Sequence, residues 1–328
     1  MSILTWRRQA GALVAVVGLA ALAGCSGVTY AETPLPTTVV PKPSSSTPAP
    51  APVTCDNATQ SYDPLPSLPS RTEITDATMR RIIQKGFLTV GVSADTYLFG
   101  ARDPFTSRLE GFDIDMARSV AKAIFGDPGK VQFRVITAAD RLPLLQDPER
   151  PIDMVARNMS MTCGRWNDIA FSAEYYRSGQ KVLVGKNLPD AANLALTDLE
   201  GKRVCAPTGT TSLTKLQQVK GPIVVTAPNH TGCLVLFQQG KADAITGDDT
   251  VLAGLAAQDP NTVITKAKAI TTEPYGLGFN KADTYLARYV NRVIADLEAD
   301  GEWKAIYNRW LAAPLGPAPA PPTPVYGR

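Results

Sequence analysis

The chain has 328 residues, of which 44% are hydrophobic and 19% are charged, and its formal net charge is +3. The hydrophobic fraction is sufficient for the core of one large domain or two ordinary ones, which excludes a chain that is disordered throughout. The near balance of 33 Lys+Arg against 30 Asp+Glu excludes a polybasic nucleic-acid binder, and the single histidine argues against histidine-based metal sites and catalytic triads.

The amino terminus has the pattern of an export signal that ends in a lipidation motif. A basic pair, Arg7-Arg8, precedes an apolar run over residues 10–23 that is short for a membrane span. The run ends in Leu22-Ala23-Gly24-Cys25, which resembles the bacterial lipobox, in which the cysteine carries acyl chains. We therefore expect a lipoprotein signal peptide over 1–24 and an extracytoplasmic protein that is anchored to the cell membrane through lipid on Cys25. The alternative is an ordinary signal peptide with an incidental cysteine.

Two terminal segments are rich in proline. Residues 25–54 are mostly Pro, Thr, Ser and Ala, a composition that cannot bury a core and favours extended conformations. We interpret this segment as a tether between the lipid and a folded domain. Residues 313–328 have the same composition and are predicted to be a disordered tail.

Apart from Cys25, the chain has four cysteines, Cys55, Cys163, Cys205 and Cys233. An even number of cysteines in an exported protein favours disulfides, and four cysteines allow three connectivities. No C-x-x-C pattern occurs, so the sequence offers little support for a metal site or a redox motif. Neither a metal nor a cofactor is expected.

Between the two ends, patterns typical of helices and strands alternate along the chain. The first half predicts a helix over 71–85, a strand over 88–92, a helix over 111–125 and strands over 131–136 and 151–156. The second half predicts strands over 180–184, 203–206, 223–226, 242–246 and 275–280, and helices over 210–219, 233–239 and within 285–310. This alternation favours α/β layers with mostly parallel strands. Two lobes fit the length, with a ligand cleft between them beyond the carboxyl ends of the strands.

Short strings of sequence between residues 88 and about 310 carry a family resemblance. In the first half they are Leu88–Val92, Gly111–Ala117, Asp153–Val155, Ser160–Thr162 with Arg165, and Phe171–Tyr176. In the second half they are Asp198–Val204, Gly209–Thr211, Gly240–Ala244 and Tyr275–Leu277. Taken together and in this order, they resemble the polar amino-acid-binding branch of the bacterial extracellular solute-binding proteins, family 3. The resemblance is closest to actinobacterial glutamate/glutamine/aspartate-binding lipoproteins of ABC transporters.

The resemblance implies an α/β fold, a two-lobed periplasmic-binding-protein-like (type II) clamp with two crossover strands. Lobe 1 would comprise residues 55–180 and 271–312, and lobe 2 residues 181–270. The implied function is not enzymatic: a monomer would capture a free polar amino acid for an ABC permease. Glutamate or aspartate is expected before glutamine or asparagine, and a basic amino acid is not expected. On this arrangement Cys205 pairs with Cys233 within lobe 2, and Cys55 pairs with Cys163.

The resemblance also assigns the groups that meet the ligand's backbone. A closed cleft removes water from an α-carboxylate and an α-ammonium, so each needs a partner of opposite charge. Arg165 would hold the carboxylate with its planar fork, and Asp248 would hold the ammonium, with Asp249 open as the alternative. Further contacts are expected from hydroxyl groups and from the turn that opens the helix at residue 210. These residues are Asn158, Ser160, Thr162, Gly209, Thr210 and Thr211. Plain helix capping is the other interpretation of Thr210 and Thr211.

Five more positions would meet the ligand's side chain, namely Ser93, Tyr97, Phe99, Lys181 and His230. The two aromatic residues would stack on its aliphatic part. Lys181 and His230 align with cationic and histidine positions of acidic-ligand binders, whereas Ser93 stands where some of those binders have arginine. Arg102 and Arg141 are further candidate cations.

Two other functions remain open from the sequence. A binding lipoprotein of this kind could dock on a membrane signalling receptor and act as an amino-acid sensor. An enzyme on the same fold, similar to a cyclohexadienyl dehydratase, would need an acid or base in the cleft, for which Glu174 and Glu273 are available. No G-x-S-x-G, H-E-x-x-H or Walker pattern occurs in the sequence.

Overall fold

Two separate β-sheets, each with helices packed on it, organise the computed structural model, which describes residues 53–328. The predicted signal peptide, the predicted lipidation site at Cys25 and most of the predicted tether lie outside the described residues. Between residues 53 and 328, no helix combines the length and the apolar character that a membrane crossing requires.

Strands and helices alternate along the chain. The first elements are α1 (Ala77–Lys85), β1 (Leu88–Val92), β2 (Asp95–Thr96), β3 (Gly100–Arg102), β4 (Leu109–Glu110), α2 (Phe112–Phe125), β5 (Val131–Val135), α3 (Arg141–Gln146), β6 (Met154–Ala156), α4 (Cys163–Asp168), β7 (Ile169–Phe171) and β8 (Tyr176–Gly185). They are followed by β9 (Arg203–Pro207), α5 (Thr211–Gln218), β10 (Ile223–Ala227), α6 (His230–Gln238), β11 (Ala244–Asp248), α7 (Asp249–Gln258), β12 (Thr262–Ile264), β13 (Thr272–Tyr275), β14 (Gly278–Asn280), α8 (Thr284–Ala299), α9 (Glu302–Trp310) and α10 (Ala312–Leu315).

Capping residues set the ends of the first helix. Helix α1 begins at Ala77 and not at residue 71 as predicted, because the Asp76 carboxylate accepts a hydrogen bond from the Met79 N–H at 2.9 Å. It ends at Gly86, whose φ of 83° lies in the left-handed region that favours glycine.

Lobe 1 is built on a five-stranded sheet in the order β5-β1-β6-β14-β7. Strand β1 runs parallel to β5 and β6, whereas β14 runs antiparallel to β6 and β7. Strands β2, β3 and β4 form a small antiparallel sheet, which we call the flap. The apolar core of this lobe uses residues between 65 and 176 and again between 275 and 311, so the chain leaves the lobe and returns to it.

Lobe 2 is built on a sheet in the order β10-β9-β11-β8-β12. Its apolar residues form two clusters, one on each face of the sheet, because successive side chains of a strand point to opposite faces. Thus Val182 and Val184 of β8 belong to one cluster, and Leu183 belongs to the other. The Cys205–Cys233 disulfide joins β9 to α6 on the second face.

Strands β8 and β13 cross between the lobes as antiparallel neighbours, with Thr272 opposite Gly179 and Tyr275 opposite Tyr176. The α/β architecture, the two lobes and the pair of crossover strands confirm the predicted fold class. Two lobes that are joined by such strands can hinge about them. Because ligand sites lie preferentially between domains, the cleft between the lobes is where we expect a ligand.

The structure corrects the prediction of a disordered tail. Helix α10 occupies part of the segment, and Val325 pairs with Gln60 in a parallel β-bridge, in which the Ser61 N–H donates to the Val325 carbonyl at 2.8 Å. Proline-rich composition predicted disorder because it supplies few apolar groups for a core. The tail is instead held by main-chain hydrogen bonds to a segment far away in the sequence.

Candidate functional site

The cleft between the lobes is lined mainly by polar residues. Lobe 1 contributes Ala138, Arg141, Arg157, Asn158, Ser160 and Arg165, and lobe 2 contributes Pro207, Thr210, Thr211, Ser212, Asn229, His230 and Asp248. Most of these residues lie at or just after the carboxyl ends of β5, β6, β9, β10 and β11. Side chains from separate strands therefore converge, as in other α/β folds that bind ligands at this edge of the sheet.

Arg165 projects into the cleft from α4. Thr162 caps this helix by accepting a hydrogen bond from the Arg165 N–H at 3.2 Å. The Arg165 guanidinium donates to the Ser160 carbonyl at 2.6 Å and, across the cleft, to the Gly209 carbonyl at 3.3 Å. Burial lowers the pKa of Arg165, and the carboxylates of Glu273 and Asp248 oppose that shift. Arg165 is thus a half-buried cation with a fork of donors at the cleft.

Asp248 lines the cleft from lobe 2 and is 5% exposed. Its carboxylate accepts hydrogen bonds from the Tyr275 hydroxyl and, at 3.4 Å, from the Ser212 hydroxyl. Burial, followed by the nearby Glu273 carboxylate, raises the pKa of Asp248 to about 7. Its neighbour Asp249 accepts from the Ser178 hydroxyl at 2.6 Å and does not line the cleft, so Asp248 is the carboxylate that the structure places there.

Two further arginines stand beside Arg165. Arg141 donates to the Gly209 carbonyl at 2.8 Å and to the Ala138 carbonyl at 2.9 Å. Burial lowers the pKa of Arg141 well below its usual range, and the like charges of Arg165 and Arg157 lower it further. Arg157 donates through Nε to the Ile136 carbonyl at 2.9 Å. The carboxylates of Asp95, Asp113 and Asp140 act on Arg157 and oppose the lowering of its pKa by burial, whereas Arg141 faces the like charges of Arg165 and Arg157.

His230 and Asn158 line the cleft, and each has a buried polar atom, Nε2 and Oδ1, without a hydrogen-bond partner in residues 53–328. Burial lowers the pKa of His230 to about 3, and the charges of Arg157 and Arg141 act in the same direction, so its imidazole is neutral near pH 7. The ring lies against β11, where a Cβ on Gly247 would be 2.4 Å from Nε2. A neutral imidazole would not supply the positive charge that was expected of His230.

The turn at Gly209 is a point of contact between the lobes. Gly209 has a φ of 72°, and a Cβ there would lie 2.6 Å from the Cα of Ala139 in lobe 1. Thr210 caps α5 by accepting from the Leu213 N–H at 3.1 Å. Thr211 donates its hydroxyl hydrogen to Glu273 at 2.8 Å. Both threonines line the cleft, so Thr210 acts as a cap while it remains beside the ligand space.

The structure places three predicted side-chain contacts away from the cleft lining. Phe99 is fully buried and packs edge-on against Tyr176 and Tyr275, because the turn after β2 directs it into the lobe 1 core. Ser93 exchanges hydrogen bonds with residues of its own turn, Asp95 among them, at 2.8 Å. Tyr97 is 48% exposed, and its backbone faces Gly254 of lobe 2.

The two other predicted cations also lie elsewhere. Lys181 of β8 is half-buried opposite Gly247 and does not line the cleft. Arg102 is an exposed flap residue that donates to the Ser107 carbonyl at 2.7 Å. Thr162 caps α4 at the mouth of the cleft and not on its inner lining. Positive charge in the cleft comes from arginines, of which Arg141 was a candidate and Arg157 was missed.

Five lining residues were not singled out as ligand contacts in the sequence, namely Ala138, Arg157, Pro207, Ser212 and Asn229. Arg157 directly follows β6 and Asn229 closely follows β10, so the rule that ligands bind beyond strand carboxyl ends could have found both. Within residues 53–328, no group of three or more His, Cys, Asp or Glu side chains is placed to hold a metal ion.

Both predicted disulfides are present, with Cα–Cα distances of 5.7 Å for Cys55–Cys163 and 5.6 Å for Cys205–Cys233. The Cys55–Cys163 disulfide ties the first residues that the structure describes to α4, the helix that carries Arg165. The second lies in lobe 2 at the base of α6, the helix that begins at His230.

Comparison with known proteins points to one family for most of the chain. The family model of the bacterial extracellular solute-binding proteins, family 3, matches residues 88–313. The ABC transporter glutamine-binding protein GlnH of Bacillus subtilis (strain 168) is 34% identical over 71% of this chain and 84% of its own length. The glutamate-binding protein GluB of Corynebacterium efficiens is 31% identical over 71% of this chain and 80% of its own length.

Solved structures show the same architecture. The crystal structure of the solute receptors for L-cysteine of Neisseria gonorrhoeae matches with a TM-score of 0.68 at 25% identity, over 73% of this chain and 96% of its own. The relatives named here are binding proteins, which confirms the expectation that this chain is not an enzyme.

Proposed function

This chain belongs to the bacterial extracellular solute-binding proteins, family 3, and we propose that, as an amino-acid-binding protein of ABC transport, it captures glutamate or aspartate between its lobes. Arg165 would bind the α-carboxylate through its fork of donors, and Asp248 would bind the α-ammonium. The two groups reach the cleft from opposite lobes, so a ligand that contacts both holds the lobes together.

One observation favours an acidic side chain. Burial lowers the pKa of Arg141, and the like charges of Arg165 and Arg157 nearby lower it further. With Arg165 and Asp248 assigned to the ligand's backbone, the positive charge that remains at Arg141 and Arg157 has no partner on the ligand unless its side chain is an anion. A second carboxylate would relieve the repulsion among the guanidinium groups.

Glutamine or asparagine is the second candidate, and a different observation supports it. His230 Nε2 and Asn158 Oδ1 are buried atoms without partners in the described part of the chain. An unprotonated imidazole nitrogen and an amide oxygen both accept hydrogen bonds, and the amide group of a ligand would donate to them. The glutamine-binding name of the Bacillus relative is consistent with this choice.

Calorimetric titration of the mature protein with Glu, Asp, Gln, Asn, Arg and His tests the proposal. We expect glutamate or aspartate to bind most tightly and arginine not to bind. Arg157→Gln should weaken glutamate about tenfold more than glutamine, the scale for a hydrogen bond to a charged group. Lys181→Met is the matched control, because Lys181 does not line the cleft, and should change neither affinity. Tightest binding of arginine by the native protein would refute the assignment.

We further propose that lipid on Cys25 holds the protein at the cell membrane beside its permease. The lipobox-like sequence and the proline-rich segment that follows it support this proposal. A membrane signalling receptor is the alternative partner. Cross-linking in cells, followed by identification of the captured membrane protein, separates a permease from a receptor.

The enzymatic alternative finds no support in the positions of its two candidate residues. Glu174 is buried and accepts two hydrogen bonds from Arg177, at 2.6 and 2.5 Å, so it is fully engaged in an ion pair. Glu273 accepts from the hydroxyl groups of Thr211 and Thr271 at 2.8 and 2.6 Å. Glu174 does not line the cleft, and Glu273 lies at its mouth and not on its inner lining.

A further inference from the structure

Helix α4 presents two consecutive side chains in different directions. Arg165 reaches the cleft, whereas Trp166 is 3% exposed and packs where residues 53–66 meet the carboxyl-terminal tail. Consecutive residues of a helix are separated by about 100° around its axis. A helix of six residues has little stability of its own, so the position of Arg165 depends on what holds the rest of α4.

Residues 53–66, which we call the strap, are the first of two segments that hold α4 in place. Cys55 of the strap is bonded to Cys163, the first residue of α4, and the Ala58 carbonyl of the strap accepts a hydrogen bond from the Trp166 indole N–H at 2.7 Å. The ring of Tyr62 meets the ring of Trp166 edge-on, with centroids 6.0 Å apart.

The tail, residues 313–328, is the second segment that holds α4 in place. Its Arg328 guanidinium lies over the face of Trp166, 3.8 Å from the ring centroid, within the range of a cation–π interaction. The same guanidinium donates through Nε to the Gln60 carbonyl of the strap at 2.7 Å. The Arg328 N–H donates to the Ser61 carbonyl at 3.0 Å, next to the β-bridge between Val325 and Gln60. The tail therefore closes over both the strap and Trp166.

We propose that the strap and the tail form one clasp that positions Arg165 for the ligand's α-carboxylate, with Trp166 and Arg328 as its positioning residues. This inference rests on the proposed binding of an amino acid by Arg165. Cys55 and Ala58 of the strap lie at the mouth of the cleft beside Arg165, whereas Trp166 and Arg328 line neither the cleft nor its mouth. Trp166 and Arg328 therefore act on affinity through the position and rigidity of α4, and so set how well the carboxylate is held.

The test compares Arg328→Ala with Arg288→Ala in the mature protein. Arg288 also donates to a strap carbonyl, that of Asp63 at 3.0 Å, but it is not a neighbour of Trp166 in the clasp, which makes it the matched control. Titration calorimetry with glutamate and with glutamine measures affinity, and hydrogen exchange of the peptide over residues 162–169 measures the rigidity of α4. Arg328→Lys retains a cation over the indole and should rescue both.

We expect Arg328→Ala to weaken binding about tenfold and to speed exchange in α4, and Arg288→Ala to do neither. Faster exchange in Arg328→Ala with native affinity would overturn the inference, because the clasp would then be structural only. Equal losses in both variants would also overturn it. Replacing both Cys55 and Cys163 with serine provides a second, independent break in the clasp and should give the same pair of effects. If the native protein binds no amino acid in this assay, the proposed function fails instead.

Discussion

Arg165 is the residue on which carboxylate binding depends in the proposed function. Arg165→Ala should cost about 3–5 kcal/mol of binding free energy, the scale for removing one partner of a buried ion pair. Arg165→Lys keeps the charge without the planar fork and should recover only part of the loss. Calorimetry measures the affinities, and circular dichroism verifies that the variants fold. Near-native affinity of Arg165→Ala for every amino acid tested would exclude this role.

Asp248 links ligand affinity to pH. Its pKa of about 7 means that the carboxyl is partly protonated near neutrality, and only the ionised form attracts an ammonium. We expect affinity to rise as pH increases from about 6 to about 8. Asp248→Asn removes the titrating group and should bind weakly with a flat profile over the same range. An unchanged pH profile in this variant would contradict the assignment.

Ionisation of Asp248 should lower the free energy of unfolding as pH rises, whereas it should raise the affinity for ligand. The pKa of Asp248 is raised on folding, so the folded protein holds this proton more tightly than the unfolded chain does. Its contribution to the free energy of unfolding is present at low pH and is lost as pH rises through about 7. Asp113 is a second carboxyl group that titrates in a similar pH range, because burial raises its pKa to about 6. The difference in urea stability between the native protein and Asp248→Asn isolates the effect of Asp248.

At the scale of residues, the family resemblance assigned the ammonium-binding carboxylate to Asp248 and left Asp249 open as the alternative. Asp248 is the one that lines the cleft, where it ends β11 at the carboxyl edge of the sheet. Phe99 could not be placed in this way, because an aromatic residue in a turn packs equally well on a ligand or in a core. His230 was found, but its charge was not, because its neutrality depends on burial beside Arg157 and Arg141.

At the scale of elements, the contact between the flap and α7 should control closure of the lobes. A Cβ on Gly254 would lie 2.7 Å from the Tyr97 carbonyl oxygen, which is backbone and cannot turn away. Gly254→Ala should therefore weaken ligand binding about tenfold, the lower part of the range for overpacking. Alanine also favours a helix by about 1 kcal/mol over glycine, so urea stability without ligand should hold or rise. A fall in both quantities would instead indicate damage to lobe 2.

Elements were predictable where their signals are local. Asp76 and Gly86 bound α1 through contacts within a few residues, and the alternation of strands and helices gave the layers. The fold of the tail was not predictable, because its partner, the strap, is more than 260 residues away in the sequence and meets it only in the folded state. The composition of a segment indicates how many apolar side chains it can bury. It does not indicate whether the backbone of the segment will form hydrogen bonds with another segment far away in the sequence.

At the scale of the whole molecule, the proposed lipid anchor determines where the protein is found. Cys25→Ser should shift the protein from the membrane fraction to the soluble extracytoplasmic fraction, because stable anchoring takes two acyl chains or a second signal. Fractionation followed by immunoblotting measures the shift. Ser46→Ala, a substitution in the proline-rich segment that leaves Cys25 in place, is the control. Retention of Cys25→Ser in membranes would show that another segment holds the protein there.

The Gly209 carbonyl of lobe 2 accepts hydrogen bonds from both Arg141 and Arg165 of lobe 1, so the two lobes are joined directly at this point. A peptide oxygen carries a partial charge, whereas an amino-acid carboxylate carries a full one and binds a guanidinium more strongly. In the proposed function, the ligand's carboxylate would therefore compete with the Gly209 carbonyl for the Arg165 guanidinium, and this direct link between the lobes would give way to a link through the ligand.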